Sequence, residues 1–175
     1  IYNNHREALD LLFENRPDNQ QEIKGRIIKI IQKHPSLTLD HSTKSYIHFI
    51  PKELDFKELK VGAAASGWSE ENRIMLFEIA NDSRRIKMIL AIGPGEKNVR
   101  EKIYGIAIKH PEVFNKTKFA LTPKWYTIHT EFRINDVEDE EIDEIEKKID
   151  EKFYKFINDK VPKIIEIFKK EFVVK

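Results

Sequence analysis

Between residues 73 and 92 the side chains alternate with period two. Met75, Phe77 and Ile79 alternate with Ile74, Leu76 and Glu78. Beyond Asn81-Asp82-Ser83-Arg84, Ile86, Met88, Leu90 and Ile92 alternate with Lys87, Ile89 and Ala91. Alternation predicts two strands, and the polar turn between them predicts a hairpin. Gly93-Pro94-Gly95 stops the second strand, and Val99, Ile103 and Ile106 then recur at helical spacing. Period two returns over 125–134, with Tyr126, Ile128, Thr130, Phe132 and Ile134 against Thr127, His129, Glu131 and Arg133. Residues 46–50, closed by Pro51, read as a further short strand. Residues 37–43 read as a connection and 54–69 as irregular. Residues 110–124 read as a long connection whose Phe114, Phe119 and Leu121 tuck against the core.

Helical spacing brackets this region. Leu9, Leu12 and Phe13 share one face of a first helix. Pro17, Asp18 and Glu22 suit the start of a second, striped by Ile23, Ile27, Ile30 and Ile31 and ended by His34-Pro35. Asp136 reads as the N-cap of a long amphipathic helix marked by Ile142, Ile145, Ile149, Phe153 and Phe156. Pro162 kinks or splits it before Ile164, Ile167 and Phe168. The expected fold is α+β: an antiparallel sheet of about four strands with helices packed on one face. A helical hairpin (1–36) precedes an α+β domain with a long C-terminal helix (37–175), the two forming one compact unit. The other sheet face is expected to show Glu78, Lys87, His129, Glu131 and Arg133.

A length of 175 residues fits one domain, and the formal charge of +1 hides segregation. Residues 136–151 are acidic apart from Lys147 and Lys148, so the remainder is basic, which fits contact with nucleic acid, while 35 % charged residues is also a common solvated surface. With no cysteine, disulfides and thiolate metal sites are excluded. No apolar run approaches the roughly 20 residues of a membrane span and no signal peptide is visible, so a cytoplasmic setting without membrane contact is expected. The chain opens on Ile1 rather than Met, which fits a fragment or processed piece.

Gly93 and Gly95 lie before a helix whose first turns carry Lys97 and Arg100. Free N–H groups at a helix start attract phosphate, although an ordinary strand-to-helix turn accounts for the same residues. Arg84, Arg85 and Lys87, with Lys97, Arg100 and Lys102, are candidates for a nucleic-acid-binding patch. Trp68, with Tyr104, Trp125 and Tyr126, offers stacking surfaces; solvated charge and buried aromatics are the alternative. His129 and Glu131 are candidates for acid–base work, but cross-strand ion pairing explains the same residues more cheaply. The six histidines show no metal-ligand spacing, so no metal is expected. Asp55 with Glu58-Leu59-Lys60 has the form of a nuclease Glu-x-Lys triplet, but no strand pattern surrounds it.

Four stretches, in order, carry a resemblance: EALDLLFENRPD (7–18), SYIHFIPKELD (45–55), SGWSEENRIMLFEI (66–79) and LAIGPGEKNVREKIY (90–104). Together they resemble the C-terminal region of bacterial proteins of the PD-(D/E)xK nuclease superfamily, in which a nuclease-like domain precedes segments of this kind. The family's catalytic acid and Glu-x-Lys strand belong upstream, so no catalytic residue is carried over. The resemblance implies a bacterial, DNA-processing or defence-related parent, and a chain that is not catalytic by itself. It would be an accessory domain that binds DNA, or that positions an upstream nuclease domain or another protomer. No cofactor is expected in this chain, with Mg²⁺ expected only for the upstream domain. Two other readings stand beside it: a protein–protein interaction or oligomerisation domain built on the acidic C-terminal helix, and a small enzyme using the polar sheet face.

Overall fold

A computed structural model describes residues 19–173; the helix expected over 2–13 lies outside them. The order is α1 (Asn19–Lys33), β1 (Leu37–Ser42), β2 (Tyr46–Pro51), β3 (Met75–Asn81), β4 (Arg85–Ile92), α2 (Lys97–Lys109), β5 (Tyr126–Asn135), α3 (Ile142–Lys155) and α4 (Val161–Val173). The fold is α+β, with one antiparallel five-stranded sheet in the order β1-β2-β3-β4-β5. The additional strand is β1, which the sequence reading treats as a connection. Its apolar parity is carried only by Leu37 and Leu39, opposite Pro51 and Phe49, before an irregular register.

One sheet face meets the helices. Phe49 stacks on Phe77, and both rings touch Phe156, while Phe153 meets Phe49 and Phe132. α1 buries Ile23, Ile27 and Ile31, and α3 buries Ile145, Ile149 and Phe153. Spacing by four puts each triplet on one face. Arg26 pairs with Asp150 between these helices, and Asn81 at the end of β3 donates to the Gln20 carbonyl. α2 packs against α4 and β4.

α3 and α4 are joined by a π-helical turn, Phe156–Lys160, in which the Val161 N–H reaches the Phe156 carbonyl. Pro162 has no N–H to donate, so a widened turn ahead of it carries the chain through with a change of ladder rather than a break. Asp136 is not the N-cap of α3. It adopts a left-handed conformation (φ 58°), a 3₁₀ turn (Val137–Asp139) follows, and α3 begins after Glu141. Val137 is buried and bonded to the Arg84 carbonyl, so the chain is pinned to the β3–β4 turn before the helix starts. In the 110–124 connection Phe114 is buried and Leu121 packs on the core, whereas Phe119 is 80 % exposed. The Phe119 carbonyl is used instead, accepting from the hydroxyls of Tyr104 and Tyr126.

The opposite sheet face differs from the expected set. Glu78, Lys87 and Arg133 lie on it; His129 and Glu131 do not. β5 pairs Phe132 with Met88 but Thr130 with Ile89, and His129 with Leu90 but Thr127 with Ala91, so it carries an extra residue at two places. Each bulge reverses the face of the residues beyond it. His129 packs instead against Phe114, which meets Phe168 of α4, and bonds Glu131 at 2.8 Å.

Candidate functional site

On the face away from α3 and α4 lies a cavity of about 420 Å³. Its floor is strand: His48 on β2, Glu78 on β3, Ile89 and Ala91 on β4 and Thr127 on β5. Its walls are Trp68, Trp125, Tyr46 and His41. The two indoles stand edge to face at 5.0 Å, and the Trp68 ring also meets His48 at 4.5 Å. Trp68 is 3 % exposed, while Tyr46 and Trp125 at the mouth are 48 % and 46 % exposed. Large half-exposed aromatics on one rim are unusual for a surface whose only task is solubility.

Trp68 is delivered by the loop between β2 and β3. Gly67 turns the chain at φ 68°, a conformation that favours glycine. Beyond it, Asp40 on β1 accepts from the Ser69 hydroxyl (2.7 Å) and the Glu70 N–H (2.8 Å). Arg73, also 3 % exposed, bonds Asp40 at 2.7 Å and grips Asp55 with two bonds at 2.8 and 2.9 Å. Burial pushes Asp40 up, but the Glu70 N–H, Arg73, the His41 N–H and Ser69 together hold it below the usual carboxylate range. Asp55 is held low first by the Arg73 hydrogen bonds, against burial, with Lys60 adding to the effect. Asp55 and Lys60 are therefore parts of a structural ion network. Glu58 stands apart from it on a 3₁₀ turn, not on a strand.

The Gly93–Gly95 turn serves the same cavity. A Cβ on Gly93 would stand 2.4 Å from the Trp68 Nε1, so the indole lies directly on the bare backbone. A Cβ on Gly95 would stand 2.6 Å from the Val61 carbonyl oxygen, and Gly95 bridges Gly62. The Gly93 and Glu96 N–H groups donate to the Ile74 and Val61 carbonyls, so neither is free for an anion. Arg100 is not in a phosphate patch either: it is 3 % exposed and donates to the Gly93, Lys124 and Thr122 carbonyls at 2.6–2.7 Å. Burial lowers its pKa, and the three carbonyls supply the solvation it loses. Its effect is to clasp the segment leading into Trp125 against the end of β4. The Gly-Pro-Gly turn and Arg100 thus position the two tryptophans.

The other basic candidates divide between surfaces. Arg85 and Lys87 alternate with the buried residues of β4 and share the face of Ile89 and Ala91. Arg133 pairs with Lys87 across the β4–β5 ladder, and Lys116 sits in a segment whose N–H bonds the Ile128 carbonyl at the β5 edge. Lys87 is pushed below its ordinary pKa by burial first, then by Arg133, Arg85 and Lys116; Glu78 opposes this. Four cations therefore crowd one strip beside the cavity, and among the described residues Arg85 alone of them is ion-paired, to Asp82. Arg84 is exposed on the hairpin turn near Glu138. Lys97 pairs with Glu101, and Lys102 lies over the Phe172 ring of α4, so α2 contributes neither to the strip.

Sequence reading missed Tyr46 and His48. Their signal is the alternation in 46–49, where Tyr46 and His48 oppose Ile47 and Phe49. His48 Nε2 lies 2.9 Å from Glu78 Oε2. A carboxylate only accepts, so Nε2–H donates, and His48 Nδ1 is buried without a partner among the described residues. Among the described residues no helix is long and apolar enough to cross a membrane, and no group of three or more His, Asp or Glu is placed to hold a metal ion. No protein-family model, curated protein or solved structure matches the chain.

Proposed function

We propose that this chain is a non-catalytic nucleic-acid-binding module whose sheet face away from the described helices takes phosphates on the basic strip and unpaired bases in the aromatic cavity. One observation carries the reading: Trp68, Trp125 and Tyr46 and the crowded cations Lys87, Arg133, Arg85 and Lys116 share that face. A positive track beside stacking aromatics is the requirement for binding a single strand, each stacked base contributing about 1–3 kcal/mol. A phosphate on the strip would also offset the repulsion from Arg133, Arg85 and Lys116 that adds to burial in lowering Lys87. The resemblance to PD-(D/E)xK proteins places such a module beside an upstream, Mg²⁺-dependent nuclease domain in a bacterial cytoplasm, and that parentage is part of the proposal.

Fluorescence anisotropy of a labelled single-stranded oligonucleotide, titrated at increasing salt, tests the reading. Affinity should fall steeply with salt, and a duplex of the same sequence should bind less well because its bases are paired. The double change Lys87→Ala and Arg133→Ala should flatten the log–log salt slope by about 1.4, roughly 0.7 for each lost phosphate contact. Absence of binding at the lowest salt would sink the proposal.

A further inference from the structure

We infer that the cavity is a guanine site, a step that rests on the nucleic-acid reading and names the base it takes. A flat occupant suits the cavity, because the half-exposed rings of Trp125 and Tyr46 flank a floor of Ile89 and Ala91, with Trp68 touching Trp125 edge to face behind them. It must tolerate positive charge beside it, since Lys87 lies diagonally across the ladder from Glu78 and pairs with Arg133. Cations beside the cavity, rather than in its lining, favour a ring joined to a phosphate that they can meet.

The floor then selects among bases. Glu78 is the carboxylate of the cavity, and His48 fixes it through Oε2, leaving its other lone pairs without a protein donor among the described residues. A carboxylate accepts and cannot donate. Guanine offers it two neighbouring donors, N1–H and the 2-amino group, which fit the two oxygens side by side. Adenine and cytosine place a ring acceptor beside their amino group, and thymine places carbonyls beside its N–H, so each would set a lone pair against the anion. The same chemistry is present in a guanine within a single strand and in a free guanine nucleotide.

The chain's two tryptophans both line this cavity, so intrinsic fluorescence reports its occupancy directly. Thymine-only oligonucleotides carrying one central guanine, hypoxanthine, adenine or cytosine are titrated, alongside GMP and IMP. Guanine should quench at about tenfold lower concentration, or less, than hypoxanthine, which lacks the 2-amino donor. Glu78→Gln, which offers one acceptor and one donor, should abolish that preference and move it towards adenine. Its folding is checked by thermal melting, and the base panel on the natural chain needs no variant. Equal quenching by guanine and hypoxanthine, or by the thymine-only strand, overturns the inference while the nucleic-acid reading stands. Quenching by GMP over IMP with no binding to any strand sustains the guanine site and overturns the nucleic-acid reading. Quenching by none of the probes overturns both.

Discussion

Gly93→Ala isolates the seating of Trp68. Gly93 is not in the left-handed region, so alanine adds no backbone strain there and the effect is steric. The new methyl would stand 2.4, 2.5 and 2.8 Å from the Nε1, Cδ1 and Cε2 atoms of Trp68, all well inside van der Waals contact. The indole cannot slide freely, because Trp125 and His48 flank it. Forcing a methyl into a filled site of this kind costs about 1–3 kcal/mol. For a domain of this size that corresponds to a melting temperature lower by about 3–9 °C. Because the clash is with the indole, the tryptophan emission should shift to the red as Trp68 is pushed towards water. Trp68→Leu should remove most of the clash, so that Gly93→Ala costs much less in that background. Differential scanning calorimetry with emission spectra of the four proteins in the cycle measures this. A loss below about 0.5 kcal/mol with unchanged emission, or strict additivity in the cycle, would refute the placement of Trp68 on Gly93.

Three further outcomes follow from the packing and the buried charges. Arg73→Met takes the guanidinium away from buried Asp40 and from Asp55, leaving Asp55 only Lys60 among the described residues, and should cost about 3–5 kcal/mol at neutral pH by urea denaturation. Both carboxylates have folded pKa values below their ordinary one. Their stabilisation is therefore present above about pH 4 and lost as pH falls through the folded values. The steep acid loss of the natural chain should accordingly be shallower in Arg73→Met. Ile149→Ala or Phe153→Ala should each cost about 2–5 kcal/mol by thermal or denaturant unfolding, since both side chains are buried under the sheet. Arg100→Ala should destabilise the chain by leaving three carbonyls without their donor, yet leave the salt slope of nucleic-acid binding unchanged. A flattened slope would return Arg100 to the phosphate contacts.

The hairpin of β3 and β4 was legible in the sequence because the buried parity of Met75, Phe77 and Ile79 matches that of Met88, Leu90 and Ile92 without interruption. β1 was hidden because an edge strand with only Leu37 and Leu39 on its core side shows too few turns of the pattern. The reading of β5 placed the strand but not its faces: the bulge between Phe132 and Thr130 turns Thr130 to the open face and His129 to the helix side, and the second bulge restores the expected face at Thr127. The cavity was least visible. Trp68, Trp125 and Lys87 drew notice as residue types, but Tyr46, His48 and Glu78 join them only because a five-stranded meander brings separate segments to one face. Arg100 shows the limit of charge reading, since spacing places it on α2 but cannot say that three carbonyls wait beneath it.

The most direct test of the claim that the open sheet face binds nucleic acid is tryptophan quenching by a single-stranded oligonucleotide, followed as salt is raised. The account predicts saturable quenching at low salt that weakens steeply with salt and is lost in Trp125→Ala, a change at a half-exposed rim position that leaves the core intact. Binding by anisotropy with no change in tryptophan emission would place the nucleic acid elsewhere on the chain and contradict the account.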